Sequence, residues 1–271
     1  MADKIAVIGT GMMGGAIIKS LLKGKYPGKI TAVDFIHEKL HDFEVLGASV
    51  GSDNRKAAAE ADIVFVSVKP GDIEKVLKEI SKEVKGKLLV STAATVPLWF
   101  LKNNAPEAKI VRIMPNMAAL VQSSYTAFCC DSEVTAKDKE KIKTLLTMMG
   151  LSEEMDEKYM DAITGLSGSG PGYLSIIAEA LTYAGLKVGL PRNIAEKAAA
   201  QNMLGTAKLI LDLPEQPAKI RDMVTTPGGT TIEAVYELEA SQIRQALMRA
   251  VEQATKKSAL IREKICHEEK H

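Results

Sequence analysis

Ile5-Ala6-Val7-Ile8-Gly9-Thr10-Gly11-Met12-Met13-Gly14 decides the fold of this chain. A wholly apolar run that ends in glycine fits a strand buried on both faces of a parallel sheet. The turn from Gly9 to Gly14 is a complete GxGxxG, and each glycine has a mechanical task. Gly9 permits the tight turn, Gly11 lets a pyrophosphate approach the backbone, and Gly14 lets the next helix lie close to the strand. The N-terminus of the helix that follows, with free N–H groups and a positive dipole end, then faces the phosphates, and Met12 and Met13 in the turn are expected beside the cofactor. The motif alone is weak. Its context makes it specific: a strand before it, the helical run from Ala16 to Leu22 after it, a second strand, then an acid.

That acid is Asp34, twenty residues after Gly14. The spacing suits a carboxylate that accepts hydrogen bonds from the adenosine ribose hydroxyls, where a 2′-phosphate would meet like charge. The alternative is a cap for the following helix. On the first reading the cofactor is NADH or NADPH with a lean toward NADH, although Lys39 or Arg55 can reach back toward a phosphate. Further apolar runs stand at Ile30–Val33, 63–68, Leu88–Ser91 and 110–114, with amphipathic segments such as 72–84 between them. The alternation implies βαβ units and a doubly wound sheet. Ligands sit at the carboxyl ends of strands in such sheets. Val68-Lys69-Pro70 marks one end, where Lys69 either touches the cofactor or is a solvated lysine. Thr92-Ala93-Ala94 marks another and either leaves room for a nicotinamide ring or forms a tight turn. Met114-Pro115-Asn116 marks a third, where Asn116 either hydrogen-bonds a carboxamide or substrate or forms a turn.

The whole chain sets bounds on this reading. Its 271 residues, 46% hydrophobic and 25% charged, suit an ordinary globular protein of one or two domains. A formal net charge of +1 supplies no field for nucleic acid or an anionic membrane. Aromatic residues at 4% leave few platforms for stacking bases. No apolar run approaches the ~20 residues that span a bilayer. The chain enters a strand-like run almost at once, so no signal peptide is expected and the cytoplasm is the expected location. Cys129, Cys130 and Cys266 form no CxxC pair or zinc spacing and read as incidental thiols. His267, Glu268, Glu269 and His271 read as a solvated tail, and no metal site is expected.

From about residue 161 the strand pattern gives way to long helical patterns at 171–187, 191–211 and 241–264. Small residues at Ala195, Ala198, Ala199 and Ala200 suit close helix approach, either in a dimer interface or in an internal bundle. No histidine lies between residues 42 and 266, although histidine is the commonest general base beside an oxidised alcohol. The stretch 164–173 reads TGLSGSGPGY. Its glycine frame, Gly165, Gly168 and Gly170, is similar to the GxxGxGxxxK signature of the β-hydroxyacid dehydrogenases. Leu174 stands where that class carries its proton-transferring lysine. Chemistry that needs little side-chain acid–base help fits instead, such as reduction of an iminium that arrives already protonated. Ser167 and Ser169 either touch substrate or shape the turn. A second glycine motif, Thr225-Thr226-Pro227-Gly228-Gly229-Thr230-Thr231, precedes the helical run 232–238. It is an anion cradle suited to a carboxylate, or a capped helix with a proline turn.

With 161–173 (DAITGLSGSGPGY) and 222–235 (DMVTTPGGTTIEAV), and with Val68-Lys69-Pro70, Ala93-Ala94 and Met114-Pro115-Asn116 in place, the chain resembles a pyrroline-5-carboxylate reductase over nearly its whole length. The resemblance implies an α/β fold. An N-terminal Rossmann-type doubly wound sheet over residues 1–160 would be followed by an all-helical substrate-binding and dimerisation domain over 161–271. It implies reduction of 1-pyrroline-5-carboxylate to L-proline with NAD(P)H in a homodimer or a larger assembly, up to a decamer. Thr231 would hydrogen-bond the ring nitrogen. The loop around Thr226, Gly228, Gly229 and Thr230 would hold the carboxylate. Ser167 and Gly168 would lie beside nicotinamide and substrate, and Asn54 near the adenosine ribose. Asp34 departs from many NADPH-using members, and Gly172 stands where alanine is common.

Overall fold

The computed structural model describes residues 2–268, with side chains through Ile265. The Cys266 thiol and the expected tail of His267, Glu268, Glu269 and His271 lie outside the described side chains. Eight strands form one sheet among the described residues. In chain order they are β1 (Ile5–Ile8), β2 (Ile30–Val33), β3 (Ser49–Gly51), β4 (Ile63–Val66), β5 (Leu88–Ser91), β6 (Lys109–Met114), β7 (Ser124–Cys130) and β8 (Gly150–Glu154). Their spatial order is β3-β2-β1-β4-β5-β6-β7-β8, and only the β6–β7 pair is antiparallel. The helices are α1 (Met12–Lys23), α2 (His41–Val45), α3 (Asn54–Glu60), α4 (Ile73–Ile80), α5 (Leu98–Asn104), α6 (Ala136–Thr147), α7 (Met160–Ile163), α8 (Gly170–Lys187), α9 (Arg192–Asp212), α10 (Pro217–Met223), α11 (Thr230–Ala240) and α12 (Ile243–Glu268).

The apolar runs are continuous because the sheet is covered on both faces. Along β1, Ile5 and Val7 enter one core with Ile17, Leu21 and Phe65. Ala6 and Ile8 enter the opposite core with Val64, Val66 and Leu77. Strand order reverses on either side of β1, so the crevice opens where β1 and β4 end side by side, with Ile8 in register with Val66.

The doubly wound sheet is as the sequence reading expects. Three strands were not read from the sequence. β3 is three half-buried residues. β8, GLSEE, buries only Ser152 at the sheet edge. β7 carries Ser124, Tyr125 and Thr126 ahead of its apolar residues, and it runs antiparallel, outside the βαβ alternation that guided the reading.

The described residues group by their contacts into two units. Gly170–Val251 forms one unit, and the residues before it together with the segment from Glu252 form the other. The reason lies in α12. Ser258 Oγ donates to Asp161 Oδ1 at 2.7 Å, and Arg262 Nε donates to Asp161 Oδ2 at 2.8 Å. Ile265 packs with Val68 and Leu98 against the sheet core. Within the helical unit, α8 and α9 approach closely: a Cβ on Gly185 would stand 2.7 Å from the Ala195 Cβ. This places the small residue Ala195 inside a helix pair, as one of the two sequence readings expects.

Candidate active site

A cavity of about 430 Å³ opens at the ends of β1, β2 and β4, lined by Gly9, Gly11, Asp34, Asn54, Val68 and Lys69 among others. The three glycines of the first turn differ physically. Gly9 has φ of +89°, and a Cβ there would meet the Ser67 carbonyl oxygen at 2.7 Å. A Cβ on Gly14 would stand 1.9 Å from the Gly9 oxygen. Both glycines are required by the fold itself. Gly11 has nothing within 4 Å of its would-be Cβ. The space above it is an open cradle that a side chain would fill. Gly11 also caps α1 without a side-chain hydrogen bond, which leaves the first-turn N–H groups of Met12, Met13 and Gly14 for a ligand. A dinucleotide pyrophosphate fits this donor set.

Asp34 braces the same loop. Its Oδ2 accepts the Thr10 N–H and the Thr10 hydroxyl, each at 2.9 Å, and its Oδ1 accepts the Ile36 N–H at 3.1 Å. Burial alone would raise its pKa. The Thr10 and Ile36 N–H groups, the Thr10 hydroxyl and the Lys39 charge outweigh burial and hold it below the ordinary aspartate value. The helix-cap alternative does not describe this residue: Ile36 occupies the N-cap of the following turn, His37–Lys39, and makes no side-chain cap. Thr10, the variable position between the first two glycines, is a working residue that the motif alone did not expose.

Asn54 lies at the start of α3, only 2% exposed, and its Nδ2 donates to Glu79 Oε2 at 2.9 Å. Glu79 also lines the cavity. Nothing in the sequence pattern marks it, because it is one acid on an amphipathic helix. Lys69 is exposed at the cavity, and Pro70 opens the short turn Pro70–Asp72 behind it. Ala93 and Ala94 follow β5 and do not line this cavity, although Ala93 packs in one core with Ile8, Val33 and Val76, which do. Ala93 is buried, and Ala94 packs beside Met114 and Met160.

The glycine-rich stretch is a π-helical turn at Thr164–Gly168, a rare geometry that recurs at functional sites. The Ser169 N–H closes it onto the Thr164 carbonyl at 3.0 Å, and the Ser169 hydroxyl bonds the same carbonyl at 3.2 Å. Ser169 therefore shapes the turn. Asn116 holds it from β6: Nδ2 donates to the Ser167 carbonyl at 3.2 Å and to the Ser167 hydroxyl at 3.1 Å, while Oδ1 accepts the Ala118 N–H at 3.0 Å. Expected to reach a ligand or form a turn, Asn116 has its amide engaged with protein at both ends. Gly168 rests 3.6 Å from the Met114 sulfur by its would-be Cβ.

Two ion pairs anchor the chain that enters this turn. Arg112 on β6 is 1% exposed and donates from Nη1 to Glu157 Oε1 at 2.9 Å. Glu157 Oε1 also accepts the Leu98 N–H at 2.7 Å. Asp161, four residues on, takes the two bonds from α12. Cys129 pairs with Arg112 across β6–β7. Burial pushes the thiols of Cys129 and Cys130 up to about 12, so both are neutral and unreactive near pH 7.

In the helical unit, Gly228 has φ of +66°, and a Cβ on Gly229 would stand 2.3 Å from the Thr226 hydroxyl oxygen. The missing side chain lets that hydroxyl fold over the start of α11. The helix begins at Thr230, so Thr230 and Thr231 belong to its first turn rather than to the loop before it. Gly229 is the N-cap and makes no side-chain hydrogen bond. Of the alternative reading, a capped helix with a proline turn, the turn is present, since the Gly229 N–H donates to the Thr226 carbonyl at 3.0 Å across Pro227 and Gly228, and the side-chain cap is not. The end has first-turn N–H groups without a side-chain cap, beside the Thr226, Thr230 and Thr231 hydroxyls, which suits a carboxylate. Leu174 is an exposed residue in the first turns of α8 and offers no group that moves a proton.

Residues 157–261 match the family model described as pyrroline-5-carboxylate reductase dimerisation, and residues 4–95 match one described as NADP oxidoreductase coenzyme F420-dependent. The chain is 37% identical to the pyrroline-5-carboxylate reductase of Synechocystis over 95% of its own length and 98% of that protein. The chain belongs to the pyrroline-5-carboxylate reductase family. Its fold agrees: it superposes on the Coxiella burnetii pyrroline-5-carboxylate reductase with a TM-score of 0.89, at 30% identity over 96% of this chain and 98% of that one. The Plasmodium falciparum pyrroline carboxylate reductase, solved with NADP bound, superposes with a TM-score of 0.84 at 28% identity over 94% and 97% of the two chains. For a member of this family, the dimerisation model covers the π-helical turn and the 225–231 loop together, which were read from the sequence as one chemistry.

Proposed function

We propose that this protein is an NAD(P)H-dependent pyrroline-5-carboxylate reductase that converts 1-pyrroline-5-carboxylate to L-proline. End-to-end relatedness to curated enzymes of that name supports the activity. The observation that carries the chemistry is the start of α11: an uncapped helix N-terminus with three threonine hydroxyls, in a chain with no histidine or lysine in its glycine-rich stretch. When bound, the dinucleotide supplies a hydride, which adds to the imine carbon as the C=N π electrons move onto the nitrogen.

The chain's own residues bind and orient. The Gly11 cradle and the α1 N-terminus take the pyrophosphate. Asp34 takes the adenosine ribose and favours NADH. Thr226, Gly228, Gly229 and Thr230 take the substrate carboxylate. Thr231 positions the ring nitrogen, and Ser167 and Gly168 line the reacting end. Alignment of two bound reactants supplies roughly 7–11 kcal/mol in favourable cases, so a site without a strong acid is adequate for a substrate that brings its own proton.

The helical unit exposes Ile176, Tyr183, Val188, Leu211, Tyr236 and Met248. That much apolar surface supports self-association, which we assign as a homodimer, with larger assemblies built from dimers. No helix among the described residues is long and apolar enough to cross a membrane, and the cytoplasm is the proposed location. The test follows NADH and NADPH oxidation with pyrroline-5-carboxylate and with its six-membered homologue. The reading requires turnover of the five-membered ring. Turnover of the six-membered ring alone would reassign the substrate.

A further inference from the structure

We infer that Glu79 is a positioning residue for the dinucleotide: it orients the Asn54 amide so that its carbonyl oxygen is the atom left for a ribose hydroxyl. The inference rests on the proposed reading that a dinucleotide binds in this cavity. An ionised carboxylate only accepts hydrogen bonds, so the amide atom that faces Glu79 must be the NH₂ group. Asn54 Nδ2 stands 2.9 Å from Glu79 Oε2. No protein partner is assigned to Asn54 Oδ1, and that atom is not among the sealed, unpartnered ones. Asn54 and Glu79 both line the cavity beside Asp34. A second bond fixes the geometry, because Arg55 Nε donates to the Glu79 carbonyl at 3.1 Å. Side chain and backbone of one residue near the end of α4 thus hold the first two residues of α3.

The sign of the effect separates positioning from simple electrostatics. A dinucleotide is anionic, so removing a carboxylate from the cavity would tighten binding if charge alone mattered. Loss of the Asn54 orientation weakens it. Direct titration of NADH, read by its fluorescence on the full-length protein, distinguishes the two without any turnover. Glu79→Ala is expected to raise the NADH Kd roughly fivefold, the scale of one hydrogen bond between neutral groups, with kcat at saturating NADH nearly unchanged. Glu79→Gln keeps the volume but lets either end of the Asn54 amide face it, and is expected to lie in between.

In an Asn54→Ala background, Glu79→Ala should add nothing further, while thermal unfolding reports separately on folding. Glu79→Ala that binds NADH as well as or better than wild type would overturn the inference, as would additive losses in the double variant. A wild-type protein that binds neither NADH nor NADPH would instead sink the functional reading beneath it.

Discussion

The Asn116 amide nitrogen donates to both the carbonyl and the hydroxyl of Ser167, at 3.2 and 3.1 Å. One side chain at the end of β6 therefore holds the π-helical turn in place. Asn116→Ala leaves the Ser167 carbonyl and the Ala118 N–H without their partner, a cost of about 1–3 kcal/mol. The expected outcome is a drop of several degrees in Tm and at least a tenfold loss in kcat/KM. An unchanged kcat/KM would show that the turn does not need this anchor.

The glycines of the first turn divide by what surrounds them. Gly14→Ala puts a Cβ 1.9 Å from the Gly9 oxygen and forces the backbone apart. It is expected to destabilise by more than the ~1–3 kcal/mol of ordinary overpacking. Gly11→Ala meets nothing within 4 Å at an ordinary φ of −62°. It should fold with the wild-type Tm and lose at least tenfold in NADH affinity. Thermal unfolding and NADH titration of both variants check this, and equal behaviour of the two would contradict it.

The first turn was legible because much of its demand is local: Gly9 takes a φ of +89° and Gly14 must clear the Gly9 oxygen within the same turn, although the Ser67 carbonyl that crowds Gly9 comes from another strand end. Asp34 was legible by its spacing, although its grip on Thr10 was not, because that bond joins residues 24 apart. Glu79 and Arg112 were invisible for the same reason. Each looks ordinary in sequence and becomes specific only when another strand or helix supplies Asn54 or Glu157. The apolar runs gave five strands, but β3 is too short and β8, GLSEE, too polar to announce themselves. The helical patterns gave α8, α9 and α12 to within a few residues, while the attachment of α12 to Asp161 needed the folded chain.

Asp34 carries a pH prediction. Its folded pKa lies below the ordinary value of 3.8, so its contribution to stability is fully present above that value and is lost only as pH falls through the folded pKa. NADH affinity should therefore stay flat from pH 8 to pH 5 as far as this carboxylate is concerned. Asp34→Ser should lower the NADH/NADPH ratio of kcat/KM. An unchanged ratio removes Asp34 from coenzyme choice.

Glu157→Ala leaves the Arg112 guanidinium, 1% exposed, without its carboxylate. Breaking a fully buried pair costs about 3–5 kcal/mol. Glu157 is a third exposed, so about 2–3 kcal/mol is expected here after solvent screening. Urea unfolding measures it. A change within 0.5 kcal/mol, the range of ordinary surface substitutions, would mean that water already satisfies the guanidinium.

The central claim is that this chain reduces a cyclic imine carboxylate at a site built on the start of α11. The most direct measurement is NADH consumption with pyrroline-5-carboxylate by wild type and by Thr231→Ala, side by side, with L-proline quantified as product. Wild type is expected to give stoichiometric proline, and the variant a kcat lower by at least about tenfold, the effect of one transition-state hydrogen bond, at an unchanged Tm. No NADH consumption by wild type, or equal rates for the two proteins, would contradict it.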